Sequence, residues 1–195
     1  MILPFDEVDA LIASVRQRAA AISEQMTDEG GMIPGEKRKP ALNADELIDE
    51  VADLLVLDFV YGTAAAAEML GVEIAPDMDD MRKSIEKRID DKDFRDRIRE
   101  YAPQGDAEAI VRVIDTDSTR VFNEGIVSAA RRGGATTKTW QTMMDDRVRD
   151  AHMVLQDVTI PLDADFYTDG DHAPAPGQFN EAYLNCGCRC WLTVR

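Results

Sequence analysis

The sequence predicts an α+β protein, with a mainly helical N-terminal body over residues 1–134 and a small β-containing C-terminal unit over residues 135–195. Apolar residues recur at helical spacing through the first two thirds of the chain, and short segments near its end alternate between apolar and polar residues. Both histidines, all three cysteines and both tryptophans lie after residue 137. The two parts could also form one continuous domain.

Turn and capping residues mark the ends of five predicted helices. Their predicted ranges are 5–26, 43–70, 76–90, 93–101 and 106–131. Asn43 begins the second helix as part of a capping box, and Gly71 is placed to end it. Asp106 caps the fifth helix, and Gly133 follows its last turn. The first helix is amphipathic and needs a partner surface, in this chain or in another.

The composition excludes several classes of protein. Of the 195 residues 45% are apolar, which is enough to bury a core. No run reaches the roughly 18 consecutive apolar residues that a membrane-spanning helix needs. The N-terminus lacks the basic start and long apolar stretch of a signal peptide. We therefore expect a protein made in a cytoplasm, with no membrane partner.

The net charge of −16 repels nucleic acid from most of the surface and favours basic protein partners. DNA contact is expected only through local basic patches such as Arg131, Arg132 and Lys138, and the usual interpretation of such a cluster is a solvated helix end. Residues 116–120 are interpreted as polar surface of the fifth helix. The three cysteines are odd in number and close together, which excludes a disulfide framework and indicates reduced thiols.

Residues 145–155 contain no Gly or Pro and predict a short helix. On such a helix Asp145, Arg149 and His152 share one face, and Asp145 can pair with Arg149 one turn later. This trio could simply fix the helix in place.

The rest of the C-terminal unit is predicted to be two strands and a loop. Residues 158–160 predict a strand that pairs with a final strand over residues 183–194. Residues 163–177, which are rich in Asp, Gly and Pro, predict a surface loop between them.

Cys186, Cys188 and Cys190 alternate, so their thiols point to one side of an extended chain. A disulfide between cysteines two residues apart is sterically awkward. With His152, or with His172 folding back, the three thiols could hold a zinc ion. The spacing lacks the CxxC knuckle of common zinc modules, and buried small hydrophobic residues are the alternative interpretation.

Several short motifs follow one another from Lys138 to the end of the chain. They are Lys138-x-Trp140-x-Thr142, Asp145-x-Arg147-Val148-Arg149-x-x-His152, Phe166, Pro176-Gly177 and Asn185-Cys186-Gly187-Cys188-Arg189-Cys190. Their order and spacing resemble the phage Mu F-like family of minor head proteins, also called the phage head morphogenesis domain. That family usually ends in Asn-Cys-Arg-Cys. Either Cys186 or the final cysteine pair could therefore match the cysteines of the family.

The resemblance implies a structural protein of a tailed bacteriophage, present in few copies in the virion, within the head or at the portal. It implies action in head morphogenesis near the portal and in DNA packaging or ejection, with the portal protein, the major capsid protein or both as partners. Self-association through the amphipathic helices is a further expectation. The sequence itself contains no catalytic constellation, so we predict that the protein is not an enzyme.

A metal-dependent or thiol enzyme is the alternative hypothesis. Zinc deaminases need His-x-Glu and Pro-Cys-x-x-Cys, and this chain has neither motif. A nucleophile pair of His152 with Cys188 or Cys190 is conceivable. On the structural interpretation we expect Trp140, the face that carries His152, and residues 186–190 to pack together as the core of the C-terminal unit.

Overall fold

The computed structural model describes residues 43–89, 92–104 and 106–195, and the predicted helix over residues 5–26 lies outside them. The described residues form four long helices: α1 (Ala44–Leu70), α2 (Met78–Ile89), α3 (Lys92–Tyr101) and α4 (Ala107–Arg132). Shorter elements follow: β1 (Thr137–Gln141), α5 (Asp150–Met153), β2 (Thr159–Pro161), β3 (Phe166–Thr168), β4 (Asp171–Ala173), α6 (Ala182–Asn185) and β5 (Trp191–Val194). The predicted α+β fold is confirmed.

The predicted helix ends agree with the capping contacts. The Asn43 side-chain oxygen accepts the backbone N–H of Asp45 at 3.1 Å. Gly71 ends α1 in the left-handed conformation, with φ 66°. Asp106 accepts the backbone N–H of Ala109 at 3.1 Å and so begins α4. In the described part of the chain, no helix is both long enough and apolar enough to cross a membrane.

The helices α1 and α4 are in backbone contact where each carries a glycine. A Cβ atom on Gly62 would lie 2.0 Å from the carbonyl oxygen of Phe122, and one on Gly125 would lie 2.4 Å from that of Phe59. No side chain fits at either distance, so this crossing requires glycine on both helices. The contact fixes α4, which also carries the polar side chains that reach the C-terminal unit.

Two apolar clusters share these long helices. The first joins α1 to α4 around Phe59, Phe94 and Ile114. The second joins the end of α4 to the C-terminal unit around Trp140 and Leu192, and α1 also contributes to it. The predicted boundary at residue 134 lies just after the last turn of α4. The two clusters are nevertheless not separate, because α1 and α4 contribute residues to both.

Asp117 corrects the prediction that residues 116–120 are helix surface. This carboxylate is 1% exposed, and its Oδ1 lies 2.7 Å from the guanidinium Nε of Arg88 on α2. Burial raises the pKa of Asp117, while the charge of Arg88 lowers it. The prediction was wrong because α2 packs over this part of α4, a tertiary contact that helical periodicity does not reveal.

The three-stranded antiparallel sheet has the order β2-β1-β5. The predicted pairing of the strand at residues 158–160 with the final strand was wrong, because β1 lies between them. Trp140 and Lys138 are the two residues of Thr137–Gln141 that face the core. A lysine at a core-facing position interrupts the apolar–polar alternation by which a strand is recognised, so this strand is weakly indicated in the sequence. Lys138 faces Ile160 on one side and Val194 on the other.

Two other predictions were wrong in part. The predicted loop at residues 163–177 contains the hairpin β3–β4, whose turn residues Asp169 and Gly170 have φ 49° and 79°. An Asp-Gly pair is a strong hairpin signal because both positions need positive φ. The predicted final strand begins only at Trp191, since α6 occupies its first half and Gly187, with φ 65°, turns the chain.

Candidate metal centre

His152, Cys188 and Cys190 meet in the interior of the C-terminal unit. The His152 Nδ1 atom lies 3.7 Å from the Cys188 sulfur and 3.5 Å from the Cys190 sulfur. The three potential ligand atoms all lie within 4.8 Å of one another. All three residues are buried, with exposures of 1% for His152, 3% for Cys188 and 5% for Cys190.

Side chains of α4 position the two cysteines through their backbone. The Thr119 hydroxyl donates to the Cys188 carbonyl oxygen at 2.7 Å, and the Asn123 amide nitrogen donates to the Cys190 carbonyl oxygen at 3.2 Å. The Asn123 oxygen in turn accepts the backbone N–H of Leu192 at 3.0 Å. Sequence reasoning missed both α4 residues, because no local pattern links a helix to a segment almost 70 residues later.

Aromatic rings hold the His152 imidazole from two sides. The ring stacks on Phe179, with centroids 5.9 Å apart, and meets Trp140 edge-on at 5.6 Å. The opposite ring nitrogen, Nε2, is buried and has no hydrogen-bond partner among the described residues. The Nδ1 atom of His152 therefore faces the two thiols, and Nε2 lies buried on the opposite side of the ring.

The two thiols differ in acidity because they interact with each other. The Cys190 thiol donates a hydrogen bond toward the Cys188 sulfur, which lowers the pKa of Cys188, and the neighbouring His152 lowers it further. The same interaction, together with burial, raises the pKa of Cys190. The indole N–H of Trp140 has no hydrogen-bond acceptor at ordinary distance in the described part of the chain, but it is near enough to the Cys190 sulfur to lower the pKa of Cys190 against that rise.

The structure places the other predicted ligands outside this group. Cys186 is exposed, because α6 and the turn at Gly187 separate it from the segment that carries the other two cysteines. The prediction that all three thiols point to one side was therefore wrong. His172 lies on the β3–β4 hairpin, half exposed, with Nδ1 2.9 Å from the Asp165 carboxylate.

The predicted pair of Asp145 with Arg149 does not form. Residues 145–149 are not helical, because α5 begins only at Asp150. Asp145 instead accepts two hydrogen bonds of 2.7 Å from Arg189, which lower the pKa of Asp145. Arg149 donates to the Cys186 carbonyl oxygen. Both arginines thus connect the segment before His152 to the cysteine-bearing turn.

The remaining motif residues support the same unit. The Asn185 side chain holds the backbone of Phe179 with two hydrogen bonds, at 3.0 Å to its N–H and 2.7 Å to its carbonyl oxygen. Lys138 is 1% exposed, and its Nζ lies 5.7 Å from the centre of the Phe166 ring. Burial lowers the pKa of Lys138 to about 8. Arg147 is exposed and lines a small cavity beside the cysteines.

The geometry of the three residues fits a zinc ion. A sulfur and a nitrogen bound to the same tetrahedral zinc lie about 3.5 Å apart, given bonds of about 2.3 and 2.0–2.1 Å. Both sulfur–nitrogen distances here are close to that value. Thiolate and imidazole are also ligands that zinc prefers. Thiol–imidazole hydrogen bonds without a metal fit the same distances, so the alternative of plain core cysteines agrees with this geometry too.

Comparisons of the chain with protein-family models, with curated proteins and with solved structures found no match.

Proposed function

We propose that this chain is a minor head protein of a tailed bacteriophage, acting in head morphogenesis near the portal and in DNA packaging or ejection. The observation that supports this proposal is the convergence of the motif residues. Trp140, His152, Cys188 and Cys190 come from three separate motifs, and their side chains form one buried cluster. A shared structural centre explains why such residue types recur in this order and spacing.

The contacts extend to one further motif, Phe166, and to Asn185, the first residue of the motif that carries the cysteines. The Phe166 ring meets Trp140 edge-on, with centroids 5.1 Å apart. Asn185 fixes the backbone of Phe179, whose ring stacks on His152. The motifs thus supply packing and hydrogen bonding, as expected of a protein whose work is assembly. The partners in this proposal are the portal protein, the major capsid protein or both.

The proposed role of the metal is structural. A zinc ion held by His152, Cys188 and Cys190 connects α5 to the segment before β5, two parts of the chain that are 36 residues apart at their closest. Binding such an ion stabilises the folded chain by linkage, because the unfolded chain offers no preformed site.

Particle composition tests the assembly role. Virions produced by cells that carry the gene are separated by density into filled heads, empty heads and free protein, and each fraction is analysed for peptides of this chain. We expect the chain in heads, at a small number of copies relative to the capsid protein. Its absence from all particle fractions, while it remains abundant in the lysate, would overturn the proposal.

Metal content and thiol reactivity test the structural role of zinc. We expect about one zinc per purified full-length chain by elemental analysis. A thiol reagent should then modify the exposed Cys186 in the native protein, and reach Cys188 and Cys190 only after denaturation with a chelator. A zinc-free protein that takes up no zinc on titration would show that the cluster is a plain hydrophobic core.

A thiol enzyme is the second candidate, because Cys188 has a lowered pKa and lies 3.7 Å from the His152 nitrogen. Its 3% exposure and an adjacent cavity of about 10 Å³ leave little room for a substrate. Iodoacetamide distinguishes the two candidates. An enzyme nucleophile reacts at Cys188 first, whereas a structural site leaves Cys186 as the reactive thiol.

A further inference from the structure

Within residues 43–89, 92–104 and 106–195, the metal site of the proposed function has three protein ligands and lacks a fourth. Three of the four positions of a tetrahedral zinc are accounted for by His152, Cys188 and Cys190. Closed structural sites normally have four protein ligands, and sites with three normally complete their shell with a ligand from solvent or substrate. The identity of the fourth ligand therefore decides what kind of site this is.

Cys186 is the nearest sequence candidate for a fourth protein ligand, but its surroundings oppose that role. Its thiol is exposed and lies outside the group of ligand atoms that are within 4.8 Å of one another. Its carbonyl oxygen is bonded to Arg149, and the following Gly187 has φ 65°, which turns the chain before Cys188. Bringing the Cys186 sulfur inward would require breaking that turn.

A small cavity lies directly beside the three ligands. It is about 10 Å³ in volume and is lined by Met143, Arg147, Val148, Arg149, His152, Gly187, Cys188, Arg189 and Cys190. A cavity of that size holds about one water molecule. The exposed side chain of Arg147 lies at its rim, so solvent can reach it.

The cavity lining favours an anionic ligand. Three of its residues are arginines, whereas none is an aspartate or a glutamate. Arg189 is paired with Asp145 and Arg149 with a carbonyl oxygen, which leaves Arg147 as the arginine of the lining that is exposed to solvent. Zinc with two thiolates carries no net charge, so the positive charge near the site comes from the arginines. This charge favours an oxygen or nitrogen ligand that bears negative charge.

We infer, on the basis of the proposed zinc site, that the fourth ligand is not Cys186 but an exchangeable small anion from solvent, hydroxide included, bound in the cavity beside Arg147. The site then has the open coordination of a ligand-binding zinc, although its protein ligands are buried. The chemical class of ligand is a small anion that coordinates through one atom.

Cobalt substitution tests this inference with the full-length protein. Charge-transfer absorption of thiolate-bound Co²⁺ grows with the number of bound thiolates, and its visible bands report the geometry and the fourth ligand. The Cys186→Ala variant should keep one metal per chain and the full charge-transfer intensity. Fluoride, a monatomic anion about the size of a water molecule, should shift the visible bands of the wild-type protein, and Arg147→Gln should weaken the apparent fluoride affinity several-fold. Circular dichroism checks that both variants, changed at exposed residues, remain folded.

The outcomes separate the inference from the function on which it rests. Loss of about one third of the charge-transfer intensity in Cys186→Ala would show three bound thiolates and overturn the inference, while leaving the zinc site intact. Bound cobalt that does not respond to fluoride would also overturn it. Failure of the wild-type protein to bind either metal would instead remove the zinc site itself, and the inference with it.

Discussion

Asn123 on α4 and Cys190 next to β5 are joined by a hydrogen bond of 3.2 Å, although they are 67 residues apart in the sequence. The same Asn123 side chain accepts the backbone N–H of Leu192 at 3.0 Å and is itself fully buried. One amide group thus fixes the chain on both sides of Trp191. The position of a candidate metal ligand therefore depends on a residue of the helical body.

Asn123→Ala should destabilise the protein and weaken metal binding together. The change leaves the Cys190 carbonyl oxygen and the Leu192 N–H without their partner, at a cost of about 2–3 kcal/mol in the free energy of unfolding. Urea unfolding of the metal-free protein measures this cost, and competition with a chelator measures metal affinity. Gln104→Ala is the control, since it removes an exposed amide bonded to the Glu100 carbonyl oxygen. Equal effects of the two variants would contradict the prediction.

His152→Ala should abolish stoichiometric zinc binding and lower the melting temperature, because it removes a ligand and leaves a gap between Phe179 and Trp140. We expect about 2–3 kcal/mol of destabilisation even without metal. His172→Ala removes the other histidine, which is half exposed, and should keep both zinc and stability within about 0.5 kcal/mol. Elemental analysis and thermal unfolding report the two effects. Unchanged melting and zinc content in His152→Ala would refute the structural site.

A double-mutant cycle should identify the true partner of Asp145. Alanine substitutions of Asp145 and Arg189 should show a favourable coupling, which salt reduces because the carboxylate is partly exposed. The same cycle with Arg149 should give close to zero, since Arg149 bonds the Cys186 carbonyl oxygen. A larger coupling of Asp145 with Arg149 than with Arg189 would instead support the helical pair that the sequence predicted.

Asp58→Asn should change how stability depends on pH. Burial raises the pKa of Asp58 from its ordinary value of 3.8 to about 7. The folded protein therefore retains a proton that the unfolded chain releases, and stability from this group, complete below pH 3.8, is lost as the pH rises to about 7. Across that pH range the free energy of unfolding of Asp58→Asn should rise relative to that of the wild type, by up to about 4 kcal/mol.

Urea unfolding at pH 4, 5.5, 7 and 8 measures this difference. Asp53→Asn changes an exposed carboxylate on the same helix and is expected to show no such trend. A difference between Asp58→Asn and wild type that stays constant with pH would show that Asp58 ionises normally in the folded protein.

The long helices could be predicted from the sequence because their signals are local. Asn43, Gly71 and Asp106 act through bonds to residues within one turn, so spacing alone indicates them. The hairpin at Asp169-Gly170 was also accessible, since its turn signal is local. It was missed because the acidic composition of the segment favoured a loop.

The sequence indicated which types of residue form the site, but not which of the candidate residues come together. His152, Cys188 and Cys190 were named as potential ligands, but the sequence could not exclude Cys186 or His172. Their exclusion depends on α6 and on the pairing of His172 with Asp165, which are tertiary features. The supporting contacts from Thr119 and Asn123 connect distant parts of the chain, and a single sequence carries no signal of such contacts.

α4 extends from the first apolar cluster to the second and connects them. Its 26 residues make a rod about 39 Å long. Gly125, in the C-terminal half of α4, lies against α1, and Thr119 and Asn123, within the two preceding turns, hold the cysteine segment. These hydrogen bonds act alongside the covalent connection at Gly133 and Gly134, so a movement of the C-terminal unit relative to α4 requires them to break.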